Sequence, residues 1–362
     1  MIHALRVGLR DFRNHERTVL DLDPATTVLH GPNGAGKTNL LEALHVGLTG
    51  RSFRTGTERE AVRHGASVGR VEVTTRAADG EHLLEVALAR GGEKRVRVDG
   101  ATLSDPAGAP RPPVGAFLPE RLDLVKGPPA LRRAHLDRFV AAAWPARRAR
   151  SAYARALGQR NALLGRVRAG VVPEGHLDPW DAQLAACGVE LMTDRAEAVE
   201  ALIAPYRALA AELGLPPDAE VRYRPRARAG DAAELAAELR ERRASDLDRG
   251  FTTHGPHRDD LALTAGRRAL RTYGSQGQQR LAVLTLLLSE RAVLSERGQP
   301  PLMLLDDVMS ELDRERRERL AALLGARGQA VITTTDADRF PGQASVVRVG
   351  DMTTHRAGAL AA

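Results

Sequence analysis

The 362-residue sequence predicts an α/β fold interrupted by a helical segment, and three observations lead to this prediction. A glycine-rich stretch, residues 31–38, lies between an apolar strand pattern and a helical pattern. A second apolar strand pattern, residues 302–305, ends in two aspartates. The segment between them is largely helical in its apolar periodicity. We therefore expect an α/β domain in two parts, residues 1–125 and 251–362, with an all-helical arm, residues 126–250, inserted between them.

The first part of the α/β domain is expected to hold strands, one helix and a small antiparallel lobe. Leu5, Val7 and Leu9 alternate as in a half-buried strand. Glycines 91 and 92 indicate a hairpin turn between two alternating segments. Strands are expected near residues 19–22, 28–29, 71–74, 83–90 and 95–98, and a helix over residues 38–48.

The arm is expected to contain several amphipathic helices. Its pattern breaks at Pro145 and again between residues 170 and 179. Apolar side chains then recur at steps of three, four and seven, which places them on one helix face. These residues are Trp180, Leu184, Cys187, Leu191, Ala198, Leu202, Tyr206 and Leu209. A further helix is expected over residues 232–247, and without a long heptad run any coiled-coil projection is short.

The second part of the α/β domain returns to strand patterns. Strands are expected over residues 260–264, 302–305 and 330–333, and a long amphipathic helix over residues 278–297.

The glycine-rich stretch has the context and composition of a phosphate-binding P-loop. Its backbone N–H groups and the following helix N-terminus would bind the phosphates of a nucleotide. Lys37 would reach the β and γ oxygens, and Thr38 would ligate Mg²⁺. The nucleotide-binding residues are Gly31, Pro32, Asn33, Gly34, Ala35, Gly36, Lys37 and Thr38. A chance glycine-rich turn is the alternative.

The aspartates after the strand at residues 302–305 resemble a Walker B element. Asp306 would hold Mg²⁺, and Asp307 would accept a proton from the attacking water. Acids at the end of a buried strand fit this role because α/β sheets bind ligands at strand ends. Taken alone the pair also fits a helix-capping turn, so the prediction depends on the P-loop.

A third element stands at the start of the predicted long helix. Ser275, Gly277 and Gln278 lie where a helix N-terminus forms an anion site. A plain helix cap by Ser275 is the alternative. Residues 310–313, Ser-Glu-Leu-Asp, have the form of a D-loop. The order of these elements resembles ABC-type P-loop ATPase heads, which combine a mixed sheet with an antiparallel β lobe and carry Ser-Gly-Gly-Gln at this place.

The charge distribution indicates a polyanionic partner. The net charge is +7, with 53 basic residues that are nearly all arginine. Residues 131–170 hold ten arginines but a single acid, Asp137. We interpret this as a basic helical face for nucleic acid phosphates, against the alternative of a merely solvated face. The candidate DNA contacts are Arg147, Arg148, Arg150, Arg155 and Arg160.

Other composition features exclude several classes of protein. One cysteine, Cys187, allows no internal disulfide and no four-cysteine zinc site. No long apolar run predicts a membrane span, and the N-terminus alternates like a strand instead of a leader. A soluble cytoplasmic protein is expected. Aromatic residues make up only 3% of the chain, so base-specific readout of DNA is not expected.

Four segments resemble known families. Residues 9–14, Leu-Arg-Asp-Phe-Arg-Asn, are similar to the N-terminal strand of SMC-like heads. Residues 50–54 (Gly-Arg-Ser-Phe-Arg), 159–164 (Gln-Arg-Asn-Ala-Leu-Leu) and 253–260 (Thr-His-Gly-Pro-His-Arg-Asp-Asp) resemble the RecF family of bacterial recombination-repair proteins. The His-Gly-Pro-His run is the most specific of these, and it fits either a structural turn or a direct role.

The resemblance implies an ATP-dependent DNA-binding protein of recombinational repair and replication. In that family two heads dimerise on ATP, which is held by the P-loop of one subunit and contacted by the signature serine of the other, here Ser275. The dimer would clamp single- or double-stranded DNA at gaps or junctions and help load recombinase together with RecR and RecO type proteins. Hydrolysis of ATP would time DNA release.

The sequence also departs from the wider ABC pattern. Asp307 stands where many relatives have glutamate, which predicts slow turnover. No glutamine occurs between Lys37 and Gln159, and Glu120 is the candidate substitute for the missing Q-loop residue. Residues 333–336, Thr-Thr-Thr-Asp, replace a switch histidine. The alternatives are a transporter engine, a different SMC-like repair protein, a larger relative with nuclease or long coiled-coil parts, and a small-molecule kinase that uses only the P-loop.

Overall fold

The computed structural model describes residues 2–103, 109–118, 122–326 and 328–350. The chain forms two compact units. Unit 1 comprises residues 1–119 and 294–362, and unit 2 comprises residues 120–293.

Unit 1 contains a parallel sheet of five strands in the order β14-β3-β13-β12-β8. Its strands are β3 (Thr26–His30), β8 (Val114–Phe117), β12 (Leu302–Leu305), β13 (Ala330–Thr334) and β14 (Ser345–Arg348). Every neighbouring pair is parallel. Strands β3 and β12 therefore end at the same edge of the sheet, on either side of β13. This edge receives the P-loop from β3 and the two aspartates from β12.

A second sheet of unit 1 has six antiparallel strands in the order β2-β1-β4-β5-β6-β7. Its strands are β1 (His3–Phe12), β2 (His15–Asp21), β4 (Val68–Ala77), β5 (Gly80–Ala89), β6 (Arg95–Val98) and β7 (Ala101–Thr102). Alternate residues such as Val7, Leu9, Val71 and Val73 are buried. The antiparallel lobe predicted from period-two alternation is confirmed, although its strands run longer than the sequence indicated.

Helix α1 (Lys37–Thr49) packs against strands of both sheets, and nine of its 13 residues are buried. At Gly47 an added Cβ would lie 2.4 Å from Val73 Cγ2. The helix therefore approaches the antiparallel sheet as closely as a glycine allows. Helix α10 (Arg314–Ala326) follows β12.

Unit 2 is mainly helical. Its helices are α2 (Asp123–Lys126), α3 (Pro129–Ala143), α4 (Ala149–Arg168), α5 (Asp178–Glu212), α6 (Ala232–Glu241), α7 (Arg243–Arg249), α8 (Leu270–Tyr273) and α9 (Gln276–Glu296), which ends beyond the boundary of the unit. The predicted breaks near Pro145 and between residues 170 and 179 are confirmed. The predicted single helix over residues 232–247 is divided at Arg242 into α6 and α7.

Unit 2 also contains a three-stranded antiparallel sheet. Its strands are β9 (Ala219–Arg224), β10 (Asp260–Ala265) and β11 (Arg268–Ala269). Strand β9 lies inside the arm that was expected to be all-helical, and it pairs with β10 over its full length. These ladder hydrogen bonds join residues on both sides of residue 250, and the compact unit ends at Val293.

Among the described residues, no helix combines the length and apolar content that crossing a membrane would require.

Candidate functional site

The P-loop of unit 1 connects β3 to α1, and three of its residues, Gly31, Gly34 and Gly36, have positive φ angles that favour glycine. Gly31 has φ 151° and Gly36 has φ 99°. An added Cβ at Gly31 would lie 2.6 Å from the Val349 carbonyl oxygen, and one at Gly36 would lie 2.5 Å from His15 Nε2. Both the backbone conformation and the lack of space for a Cβ atom require glycine at Gly31 and Gly36. These two glycines allow the loop shape that the sequence predicted.

Lys37 begins α1 and folds back over the loop. Its Nζ donates hydrogen bonds to the carbonyl oxygens of Gly31 (2.7 Å) and Pro32 (2.9 Å). Burial lowers the pKa of this ammonium group, although the negative charges of Asp307 and Asp306 act to raise it. The cation is thus held inside the loop by hydrogen bonds to two carbonyl oxygens. Phosphate oxygens are stronger acceptors and would replace these carbonyl oxygens as its partners when a nucleotide binds.

The two predicted metal ligands come together although 268 positions separate them in the chain. Thr38 Oγ1 donates to Asp306 Oδ2 at 2.9 Å. Thr333 Oγ1 at the end of β13 donates to Asp306 Oδ1. Thr333 begins the Thr-Thr-Thr-Asp run that stands in place of a switch histidine, but its contact with Asp306 was not predicted. The available signal was its place at the end of the strand that neighbours β12.

Asp307 lies beside these residues in a left-handed backbone conformation, with φ 45°. Its backbone N–H donates to Thr333 Oγ1 at 3.0 Å. Its Oδ1 is buried and has no hydrogen-bond partner among the described residues. A buried carboxylate oxygen without a partner is costly, so it favours an incoming proton donor such as a water molecule.

The donor set fits Mg²⁺ bound together with nucleotide phosphates. The Thr38 hydroxyl and the Asp306 carboxylate supply hard oxygen ligands, which Mg²⁺ prefers. Magnesium is commonly held by one or two protein oxygens plus substrate phosphates, and the P-loop lies beside this pair.

His15 on strand β2 supports the P-loop, although it was not among the predicted site residues. Its Nε2 lies 3.2 Å from the Gly36 carbonyl oxygen and its Nδ1 lies 2.9 Å from Thr18 Oγ1. Burial lowers the pKa of His15, so the imidazole is neutral near pH 7. A neutral ring fits both contacts, because Nε2–H then donates to the carbonyl oxygen and Nδ1 accepts from the threonine hydroxyl.

Glu42 on α1 connects two of the segments that resemble known families, residues 9–14 and 50–54. Its carboxylate is fully buried and receives two hydrogen bonds from Arg13, at 2.7 and 2.9 Å. Ser52 Oγ donates to the same carboxylate at 2.7 Å. Residues 9–14 and 50–54 therefore meet on one buried acid of the helix that follows the P-loop.

Ser275 in unit 2 is the N-cap of helix α9. Its Oγ accepts from the Gln278 backbone N–H at 3.2 Å, and its backbone N–H donates to Gln278 Oε1 at 2.9 Å. This reciprocal pair is a capping box. The structural alternative for Ser275 is thus confirmed. Ser275 and Gly277 are also exposed and Gln278 is half-buried, which leaves the helix N-terminus accessible to an anion.

The prediction that Arg160 contacts DNA is wrong. Its side chain is fully buried in unit 2 and bridges Asp181 (2.6 Å) and Asp246 (2.7 Å). It also donates to Thr252 Oγ1 at 2.7 Å. Both aspartates are fully buried, so the guanidinium neutralises charges inside the fold and cannot reach a phosphate. The sequence showed no acid nearby because both acids come from distant segments.

The His-Gly-Pro-His run lies in a buried polar cluster of unit 2. His257 Nδ1 accepts from the Tyr153 hydroxyl at 2.8 Å, and its Nε2 donates to the Thr252 carbonyl oxygen at 3.0 Å. Burial is the main cause that lowers the pKa of His257 to about 4. His254 pairs with Glu238. These contacts favour the structural interpretation of the run.

The remaining predicted DNA contacts differ in how accessible they are. Arg147 stacks over Trp144 and pairs with Asp194 and Glu197. The other three, Arg148, Arg150 and Arg155, are exposed, and Arg150 lies 3.2 Å from Asp137. Glu120, the candidate for a Q-loop substitute, lies outside the described residues.

A P-loop on one parallel strand, acidic residues on another and a serine-capped helix in the signature position define an ABC-type P-loop ATPase head. The family model described as the RecF/RecN/SMC N terminal domain matches residues 3–356. The DNA replication and repair protein RecF of Heliobacterium modesticaldum is 39% identical, over 95% of this chain and 96% of its own length. The chain therefore belongs to the RecF family.

Further comparisons agree with this assignment. The RecF protein of Myxococcus xanthus is 40% identical, over 95% of this chain and 93% of its own length. A solved structure of the recombination mediator protein RecF-ATP in the RecFOR pathway has a TM-score of 0.81 and 29% identity, over 93% of both chains. A crystal structure of an Smc head bound to the C-winged helix domain of ScpA has a TM-score of 0.58 and 14% identity, over 96% of this chain and 93% of the Smc chain. At this low identity the comparison shows only that the two chains share a fold.

Proposed function

We propose that this protein is an ATP-dependent DNA-binding protein of recombinational repair and replication restart, acting in the bacterial cytoplasm. The observation that carries the proposal is the meeting of Lys37, Thr38 and Asp306 at one edge of the parallel sheet, in a chain similar to RecF along nearly its whole length. A nucleotide site of this kind can switch a protein between two states, and membership of the RecF family indicates that the switch controls DNA repair.

ATP and Mg²⁺ are the proposed cofactors. Thr38 and Asp306 would hold the ion, which neutralises phosphate charge when bound. Lys37 would exchange its two carbonyl contacts for phosphate oxygens. Asp307, with its unpartnered buried oxygen, would orient the attacking water and accept its proton. An aspartate reaches less far than a glutamate, so we propose slow hydrolysis that resets the switch.

Homodimerisation on ATP is the proposed switching event. Ser275, Gly277 and Gln278 form an accessible helix N-terminus, which favours a negatively charged ligand. We propose that this N-terminus contacts the ATP bound by a second copy, which would then close around gapped or junction DNA. Similarity to a mediator of the RecFOR pathway supports RecR and RecO type proteins as partners.

Ser275→Asp separates the two roles of this residue. Aspartate caps a helix about as well as serine, so the melting temperature of the protein without nucleotide should stay unchanged. An added negative charge facing a triphosphate should abolish ATP-induced dimerisation, measured by light scattering at saturating ATP. Ser275→Thr keeps the hydroxyl and serves as the control, which should still dimerise. Dimers of Ser275→Asp at wild-type ATP concentrations would contradict the role across the dimer.

The exposed arginines of helix α4 and its N-terminal flank test the DNA role. Neutralising Arg148, Arg150 and Arg155 to glutamine should weaken duplex binding in ATP. The slope of log affinity against log salt should become shallower by about 0.9 for each phosphate that is no longer neutralised. Arg207→Gln, Arg222→Gln and Arg314→Gln remove the same charge from exposed arginines that pair with acids, and they control for net charge. An unchanged slope in the triple variant would move the DNA site away from this helix, and a protein with no DNA binding in ATP would refute the proposal.

A further inference from the structure

The outer face of the six-stranded sheet in unit 1 carries four arginines in one row across the strands. Arg10 on β1 lies directly opposite Arg17 on β2 and directly opposite Arg70 on β4. Arg70 lies opposite Ala87 on β5, and Ala87 lies opposite Arg95 on β6. All four arginines are exposed. Directly opposite residues share a face of the sheet, so the four guanidinium groups project from one surface.

This arginine row is unfavourable for the sheet itself. Neighbouring strands lie about 4.8 Å apart, and like charges directly opposite each other destabilise a strand pair. Within the part of the chain that the structure describes, none of the four arginines takes part in an ion pair. Other exposed arginines of the same sheet do, since Arg6 pairs with Asp21 and Arg76 pairs with Glu81. The repulsion in the row is therefore left without compensation by direct partners.

The adjacent row of this face contains two acids. Glu72 lies opposite Glu85, which lies opposite Arg97. Burial first and Glu85 second raise the pKa of Glu72, while the charge of Arg70 opposes them. Glu72 thus offsets part of the charge at the Arg70 end. The line through Arg17, Arg10 and Arg70 itself contains no acid.

We propose that the arginine row binds the phosphates of duplex DNA, an inference that rests on the proposed function. The row covers four strand spacings, about 19 Å, and duplex DNA carries about 11 phosphates over that length. Guanidinium groups bind phosphates in a bidentate manner and need no pocket to do so. A protein partner would call for large apolar or aromatic anchors at the centre of the face. The row itself holds only Ala87 between Arg70 and Arg95. The exposed apolar side chains of the same face, Val68 and Leu83, lie outside the row.

The test is a triple variant, Arg10→Gln, Arg17→Gln and Arg70→Gln, of the full chain with ATP and Mg²⁺. Duplex binding is measured by fluorescence anisotropy over a range of salt concentrations. The slope of log affinity against log salt should become shallower by about 2.7, at about 0.9 for each of the three neutralised arginines. The melting temperature without DNA should equal or exceed that of the wild type, because like-charge repulsion is relieved.

A matched control removes the same charge from exposed arginines of unit 1 that already have acidic partners, namely Arg6→Gln, Arg76→Gln and Arg314→Gln. This control should keep the wild-type slope. An equal change in both variants would assign the effect to net charge and overturn the inference. A wild-type slope in the row variant would overturn it as well, and loss of RecR or RecO type protein binding in that case would assign the row to a protein. A wild type that binds no duplex in ATP would instead refute the proposed function.

Discussion

Lys37→Ala is expected to abolish ATP-induced dimerisation and to weaken ATP binding by a factor of about 100 or more. Charge-assisted hydrogen bonds contribute about 1.5–3 kcal/mol each, and Lys37 would make them to the β and γ phosphates. No other lysine can substitute, because the chain holds only Lys94 and Lys126 besides it. The measurements are ATP affinity by calorimetry and particle mass by light scattering.

The structure provides a control for this variant. Lys126→Ala removes the same charge at an exposed position of unit 2, outside the nucleotide site, and should bind ATP like the wild type. Removing Lys37 loses its two hydrogen bonds to the carbonyl oxygens of Gly31 and Pro32, but it also removes the cost of burying the ammonium group. These effects oppose each other, so the melting temperature of the protein without nucleotide should change little. Dimers of Lys37→Ala at saturating ATP would contradict the assignment of this lysine.

Arg160→Ala is expected to destabilise the protein by about 3–5 kcal/mol, the usual cost of removing one partner from a buried ion pair. The guanidinium lies between Asp181 and Asp246, which are both fully buried. Its removal leaves Asp181 with Arg243 as its remaining ion-pair partner, and Asp246 with hydrogen bonds from Thr253. The measurement is the urea concentration at which far-ultraviolet circular dichroism reports unfolding.

Arg155→Ala on the same helix is the matched variant. Arg155 is exposed, and surface substitutions of this kind change stability by about 0.5 kcal/mol or less. We expect Arg155→Ala to affect DNA binding without affecting stability. We expect Arg160→Ala to lower stability while the salt dependence of DNA binding, measured where the variant is folded, keeps the wild-type slope. A stable Arg160→Ala protein with a reduced slope would restore Arg160 as a DNA contact.

Elements with local signals are predictable from the sequence. The strand at residues 302–305 has its predicted bounds because a short apolar run between turn signals has one interpretation in an α/β chain. The P-loop is equally recognisable because its glycines and Lys37 act within one turn of backbone. Ser275 can be identified as both a helix cap and a candidate anion site, since a capping box depends only on residues three positions apart.

Elements that depend on distant partners are not predictable in this way. Thr333 joins the site through the pairing of β13 with β12, which no local pattern encodes. His15 reaches Gly36 by way of a strand in the other sheet of unit 1. Strand β9 is hidden within a helical arm in the sequence because its partner, β10, lies beyond residue 250.

The sequence by itself determined the candidate nucleotide site, because P-loop chemistry depends on backbone conformation and on residues that are neighbours in the chain. Only the tertiary structure decided which arginines are available to DNA. Ten arginines against one acid indicated a basic surface, yet folding brings Asp181, Asp246 and Asp260 onto Arg160 and Arg132 from distant segments. Charge acts through space at a range of a few ångströms, so counting it along the chain misassigned Arg160. For the same reason Arg10, Arg17, Arg70 and Arg95, which come from four different strands, form the arginine row only in the folded protein.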